Sequence, residues 1–95
     1  MRVRDAIAEK LTKAFSPERL AVTDESHKHK GHGGWRPEGE THFRVSIVAA
    51  GFSGKSRLDR HRMINQVLSA ELAGGVHALA IEAAAPGEAA APGAA

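Results

Sequence analysis

The sequence predicts an α+β domain in which three β-strands form one sheet and the helices pack on one of its faces. Three patterns predict it: an amphipathic helical stripe near the start, strict apolar–polar alternation over residues 41–49, and a second helical stripe followed by a short apolar run. A period near 3.6 indicates a helix and a period of two indicates a strand. The expected order along the 95 residues is α-β-β-α(α)-β, in a single domain.

The first helix is predicted over residues 2–14, because apolar side chains recur every fourth residue from Val3 to Leu11. Pro17 ends this helix, since the residue before a proline avoids the helical conformation. Apolar and polar residues then alternate over residues 19–25, which predicts a half-buried first strand.

The second strand is predicted over residues 41–49, after an irregular, glycine-rich stretch at 27–39. The alternation there puts two sets of side chains on opposite faces: Phe43, Val45, Ile47 and Ala49 on one, and His42, Arg44, Ser46 and Val48 on the other. The two strands are expected to form a hairpin with an enlarged loop. A loop this long is unusual in a small domain and often has a function.

The second helical stripe predicts helix over residues 57–73, with Ser56 and Asp59 as a weak capping pair and Gly74 past its end. The third strand is predicted over residues 76–83.

Beyond residue 85 the sequence contains only Ala, Gly, Pro and Glu. A segment of this composition has nothing to bury, so we expect a folded domain over residues 1–85 and a disordered tail over residues 86–95.

Composition narrows the classes of function. The chain has no cysteine, so it can supply neither a disulfide nor a thiolate, and its formal net charge of +2 is only mildly basic. No apolar run approaches the roughly 20 residues that span a bilayer, and no signal-peptide pattern is visible. No enzyme motif is present either. We therefore expect a cytoplasmic protein that has no membrane partner and is not an enzyme.

The predicted loop contains three of the six histidines: His27, His29 and His32. They are either solvated loop residues, or metal ligands, or a proton-linked switch. A zinc site takes about four ligands, and the side chains close in sequence that could complete one are His42, Asp24 and Glu25.

His77 opens the third strand, on the face predicted for Leu79 and Ile81. From the pattern alone it is either a histidine at the edge of the core, with one ring nitrogen donating to a backbone carbonyl, or a metal ligand.

A basic run begins the second helical region: Lys55, Arg57, Arg60, His61 and Arg62. It is either a solvated helix end or a surface that contacts phosphate groups of nucleic acid.

Five segments in this order and spacing resemble the motifs of the BolA family: D-E-S-H from residue 24, E-T-H-F-R-V from 40, F-S-G-K-S-R from 52, R-H-R from 60 and V-H-A-L from 76. The resemblance covers residues 2–86 and implies a fold like that of class II KH domains, α-β-β-α-α-β, with a three-stranded mixed sheet. It also implies a non-catalytic adaptor that pairs with a monothiol glutaredoxin of the C-G-F-S type and shares a [2Fe-2S] cluster, in iron sensing or cluster trafficking. Some bacterial members are described as DNA-binding transcriptional regulators, which is the alternative function, through Lys55, Arg57, Arg60 and Arg62.

The resemblance also implies the cluster ligands. His77 matches the ligand histidine of the V-H-A-L strand, and the second ligand of the family is a His or Cys in the loop between the first two strands. This chain has no cysteine, so a loop histidine is expected, His32 before His29. The partner and glutathione would supply the other ligands. The isolated chain is then a monomer without a cluster, and it forms a heterodimer with its partner.

Overall fold

The computed structural model describes residues 2–25 and 41–88. The helices and strands of that part of the chain are, in order, α1 (Val3–Phe15), β1 (Arg19–Asp24), β2 (His42–Val48), α2 (Arg57–Val67), α3 (Ser69–Gly74) and β3 (Ala78–Ala84). A single turn of 3-10 helix, Ala50–Phe52, follows β2. The predicted loop at 27–39 and most of the predicted tail lie outside the described residues.

The three strands form one mixed sheet in the order β1-β2-β3. β1 pairs antiparallel with β2, and β3 pairs parallel with β2, with His42 opposite Ala78 and Val48 opposite Ala84. A parallel pair needs a crossover connection, which α2 and α3 provide. The predicted α+β class, strand order along the chain and mixed sheet are confirmed.

The helical stretch predicted at 57–73 is divided at Leu68, whose backbone leaves the helical conformation at φ −99° and ψ 18°. Its N–H still donates to Ile64 and Gln66 carbonyls, so α3 continues directly from α2. The Leu68 side chain is buried in the core, which holds the break in place. Ser56 caps α2 by accepting the Asp59 N–H at 3.0 Å, as the sequence predicts.

The core lies between the helices and one face of the sheet. The predicted inward set of β2 is buried and packs with side chains from α1, from α2 and from the break between α2 and α3: Phe43, Val45 and Ile47 with Ile7, Leu11, Ile64 and Leu68. Burying one such side chain contributes roughly 1.5–3 kcal/mol. The opposite face of β2 is mixed, with Arg44 exposed and both ends, His42 and Val48, buried.

An arginine caps a carbonyl on each outer edge of the sheet. Arg4 Nε donates to the Val22 carbonyl of β1 at 2.7 Å, and Arg60 donates to the Ala83 carbonyl of β3 at 3.2 Å. Because these charged side chains from the helices cover carbonyls of the edge strands, they oppose pairing with a further strand. Among the described residues, every helix is too short or too polar to cross a membrane.

Candidate functional site

His77 lies at the end of the sheet where β2 and β3 both begin. Its backbone N–H donates to the Thr41 carbonyl at 2.6 Å, and the next N–H, of Ala78, donates to the same oxygen at 3.2 Å. Thr41 is fully buried, so this carbonyl is a fixed anchor. Because β2 and β3 run parallel, the chain that enters β2 meets the chain that enters β3.

The position of His77 differs from the sequence prediction in one respect. Its side chain is exposed, whereas that of Leu79 is half-buried against the core. The physical reason is that two successive N–H groups share one carbonyl, which interrupts the alternation of a regular strand. The strand begins at Ala78, one residue later than His77.

The ring of His77 stacks on the ring of His42. Their centroids are 6.1 Å apart and their planes differ by 10°. His42 is 8% exposed, and its Nδ1 shares a 2.8 Å hydrogen bond with the hydroxyl of Thr41. Sequence reasoning considered His42 only as a zinc ligand. It missed this pairing, because only the β2–β3 register brings the two histidines together.

The segment with the loop histidines leaves and re-enters the described structure beside His42. Glu25, the last described residue before it, donates its N–H to the His42 carbonyl at 2.8 Å. Thr41, the first described residue after it, is the anchor of His77. His27, His29 and His32 themselves lie outside the described residues, so their ligand role stays a prediction.

Within residues 2–25 and 41–88, no group of three or more His, Cys, Asp or Glu side chains could hold a metal ion. The nearby carboxylates are used in ion pairs: Glu25 contacts Arg44 at 3.2 Å and Asp24 contacts Arg2 at 3.9 Å. The described part of the site therefore contains one exposed imidazole, that of His77, beside the buried imidazole of His42.

A charge ladder crosses the open face of the sheet near this site. Arg44 on β2 donates to Glu82 on β3 at 2.8 Å and to Glu25, after β1, at 3.2 Å. Hydrogen bonds to Glu82 and then Glu25 raise the pKa of the Arg44 guanidinium. This guanidinium stays charged and joins β2 to β3 and to the residue that follows β1.

The predicted basic residues lie partly in one groove, which we call the basic groove. It has a volume of about 450 Å³ and lies between the start of α2 and β3. Its cationic and histidine lining is Lys55, Arg57, Arg60 and His61, and the carboxylates of Glu82 and Glu88 line it as well. Arg62 is outside this lining; it is exposed and lies 4.0 Å from Asp59. The structure thus brings together three of the four predicted nucleic-acid contacts.

Arg60 differs from its neighbours because its guanidinium is bound within the protein. It makes two hydrogen bonds to Glu88, at 2.7 and 2.8 Å, and its side chain is only 12% exposed. It also donates to the carbonyls of Lys55 and Ala83. Arg60, together with the Ala85 N–H, lowers the pKa of Glu88 to about 2.

Glu88 therefore ties the end of the described chain to α2, past the predicted domain boundary at residue 85. The signal in the sequence is a single acidic residue after a Pro-Gly pair, at 86–88, in an otherwise uncharged tail. Residues 89–95 lie outside the described residues, so a disordered tail there stays a prediction.

Comparison with known proteins connects this architecture to one family. Mouse BolA-like protein 1 is 49% identical over 86 residues, which cover 90% of this chain and 60% of the mouse protein. The DNA-binding transcriptional regulator BolA of Escherichia coli is 46% identical over 81 residues, 85% of this chain and 73% of the regulator. The chain thus spans less than two thirds of the mouse relative.

A solved structure gives the same result for the fold. The BolA domain of SufE1 from Arabidopsis thaliana matches with a TM-score of 0.79 at 46% identity, over 87% of this chain and 91% of that domain. The family model described as BolA-like protein matches residues 11–88. With a matching fold and a match over most of its length, the chain belongs to the BolA-like family.

Proposed function

We propose that this protein is a non-catalytic cytoplasmic adaptor that binds a monothiol C-G-F-S glutaredoxin and shares a [2Fe-2S] cluster with it. The observation that carries the proposal is the exposed His77 imidazole, anchored at the end of the sheet beside both ends of the histidine-bearing segment. Membership of the BolA-like family supports it. In this proposal the chain is a monomer alone and a heterodimer with its partner.

The donor set fits a shared cluster better than a cluster held by this chain alone. A [2Fe-2S] cluster takes four ligands, which are usually thiolates, and this chain has no cysteine. Two imidazoles, His77 and either His32 or His29, would complete a set in which the partner and glutathione each supply one thiolate. When bound, such a cluster supplies one-electron chemistry, at a potential that imidazole ligands raise.

The chain's own residues have two tasks in this proposal. The Thr41 carbonyl accepts the N–H groups of His77 and Ala78, so the backbone that carries the imidazole is held at one place on the surface. The charge ladder of Glu25, Arg44 and Glu82 stiffens the strands beside it. Imidazole binds iron through a deprotonated nitrogen, so acid competes with the metal.

The test is reconstitution of the complex. The chain is mixed with a C-G-F-S glutaredoxin, iron, sulfide and glutathione, and visible absorption and circular dichroism are compared with the same mixture without the chain. We expect a new visible spectrum that His77→Ala alters. His61→Ala is the matched control, because His61 lies in the basic groove instead. A spectrum identical with and without the chain would refute the proposal.

A second candidate function is DNA binding, and the basic groove favours it. Lys55 and Arg57 are both exposed there, and the Escherichia coli relative is named a DNA-binding transcriptional regulator. Fluorescence anisotropy with a labelled DNA duplex, measured over a range of salt concentrations, tests this function. The two functions use different surfaces and can belong to one protein.

A further inference from the structure

Three contacts of Thr41 and His42 converge on His77. The Thr41 carbonyl accepts the His77 N–H at 2.6 Å, the Thr41 hydroxyl shares a 2.8 Å hydrogen bond with His42 Nδ1, and the His42 ring stacks on the His77 ring. Thr41 is fully buried and His42 is nearly so. One buried dipeptide therefore binds the backbone of His77 and lies beside its ring.

The stack matters because His77 is exposed. An exposed side chain samples several rotamers, and fixing it on a ligand costs conformational entropy. Aromatic rings prefer offset stacks with centroids ~4.5–7 Å apart, and the 6.1 Å separation and 10° angle of this pair lie in that class. The buried ring thus lies beside the exposed ring, nearly parallel to it, and limits the orientations that the exposed ring can take.

We propose that His42 is a positioning residue, which holds the imidazole of His77 in one orientation before any ligand arrives. The inference rests on the proposed function of His77. His42 acts through the flat ring that lies beside His77, and the Thr41 hydroxyl shares a hydrogen bond with Nδ1 of that ring. Outer residues that orient a ligand typically change metal affinity or activity by about 10–100-fold when they are replaced.

The first test uses the isolated chain and needs no cluster. Three-bond couplings about χ1 of His77, measured by NMR, report whether its side chain occupies one rotamer. We expect a single rotamer in the wild type, averaging in His42→Ala, and a single rotamer again in His42→Phe, which keeps a flat ring. Val48→Ala is the matched control, because Val48 is a buried residue at the other end of the same strand.

The results of this test decide the proposal directly. Averaged couplings in the wild type, or unchanged couplings in His42→Ala, would overturn it. If His42→Ala does not fold, His42→Leu takes its place, since it keeps a large side chain at this buried position and removes the flat ring. Averaging of His77 in His42→Leu supports the proposal, and an unaffected rotamer overturns it.

The second test uses the reconstituted complex with a C-G-F-S glutaredoxin. We expect the cluster to be lost about tenfold faster with His42→Ala, with an altered visible circular dichroism spectrum, and close to the wild-type rate with His42→Phe. If His42 were itself a ligand, the phenylalanine variant would lose the cluster as fast as the alanine variant, which contradicts a positioning role. If the wild type forms no cluster, the proposed function fails, and the couplings of the isolated chain still decide whether His42 positions His77.

Discussion

The guanidinium of Arg60 and the carboxylate of Glu88 form a two-point ion pair that joins the first turn of α2 to the chain that follows β3. The two N–H···O distances are 2.7 and 2.8 Å, and Glu88 also accepts the Ala85 N–H at 2.9 Å. Two parallel bonds from one guanidinium fix the geometry more strongly than a single contact. This pair holds the segment that follows β3 against α2.

The first prediction concerns acid. The pKa of Glu88 falls from 4.5 to about 2 in the folded chain, so the ion pair stabilises the fold above pH 4.5 and loses that effect as the pH falls through about 2. We expect Glu88→Gln to unfold at a lower urea concentration than the wild type at pH 6. The difference should shrink as the pH approaches 2.

Urea unfolding followed by far-ultraviolet circular dichroism, at pH 6 and near pH 2, measures this difference. Glu18→Gln is the control, because Glu18 is an exposed residue between α1 and β1. A Glu88→Gln midpoint equal to that of the wild type at pH 6 would show that the pair contributes nothing to stability.

The second prediction separates the arginines of the basic groove. Arg57 is exposed, so Arg57→Ala should leave the fold unchanged and lower the salt slope of DNA binding by about one for each phosphate that the variant no longer binds. Arg60→Ala should reduce stability, since it removes the Glu88 pair and the cap on the Ala83 carbonyl.

Anisotropy titrations over a range of salt, together with thermal melts, separate the two effects. Arg19→Ala is the matched control, because it removes an exposed cation from β1. A salt slope that Arg57→Ala does not change would remove Arg57 from the DNA surface, whatever the affinity.

The third prediction concerns the histidines that we propose as ligands. His77→Ala should leave the fold intact, because the ring is exposed and the backbone N–H that binds Thr41 is retained. The reconstituted cluster should become labile and its visible circular dichroism should change. His32→Ala should have a milder effect, since His29 in the same segment can take its place.

The cluster lifetimes of the wild type, His77→Ala, His32→Ala and the double variant of His29 and His32 measure this order. An unchanged spectrum and lifetime for His77→Ala would make that histidine structural. Equal behaviour of the double variant and the wild type would place the second ligand outside this loop.

The fourth prediction concerns the core beside the 3-10 turn. Phe52 is fully buried and its ring centroid lies 5.0 Å from that of Phe15. Phe52→Ala should lower the free energy of unfolding by about 3–5 kcal/mol. Leu58→Ala, at a side chain that is 59% exposed, should change it by less than about 0.5 kcal/mol.

Chemical denaturation of both variants checks the pair. Equal destabilisation by Phe52→Ala and Leu58→Ala would contradict the burial of Phe52 in the core.

The sequence predicted the elements well because their patterns are local. The alternation from residue 41 to 49 places β2 at His42–Val48, and the stripe that includes Ile7 and Leu11 places α1. The predicted order and strand positions agree with the structure to within about two residues.

The details of the site depend on contacts between distant residues, which a local pattern does not contain. The shared carbonyl of Thr41, the stack of His42 on His77 and the pair of Arg60 with Glu88 all require the finished tertiary structure. The break at Leu68 is of the same kind, because a buried leucine fits a helical stripe whether or not the helix continues.

The parallel pairing of β2 and β3 has a consequence for biosynthesis. The bond from His77 to Thr41 joins residues 36 positions apart, and it forms only after α2 and α3 have crossed over the sheet. Such distant pairings are late and slow events in folding. While the chain emerges from the ribosome, β1 and β2 can pair as soon as both are available, but the imidazole of His77 reaches its anchor only when β3 has been synthesised. A nascent or prematurely terminated chain without β3 therefore lacks the anchored imidazole, and only chains that have completed the sheet can present it to a partner in that position.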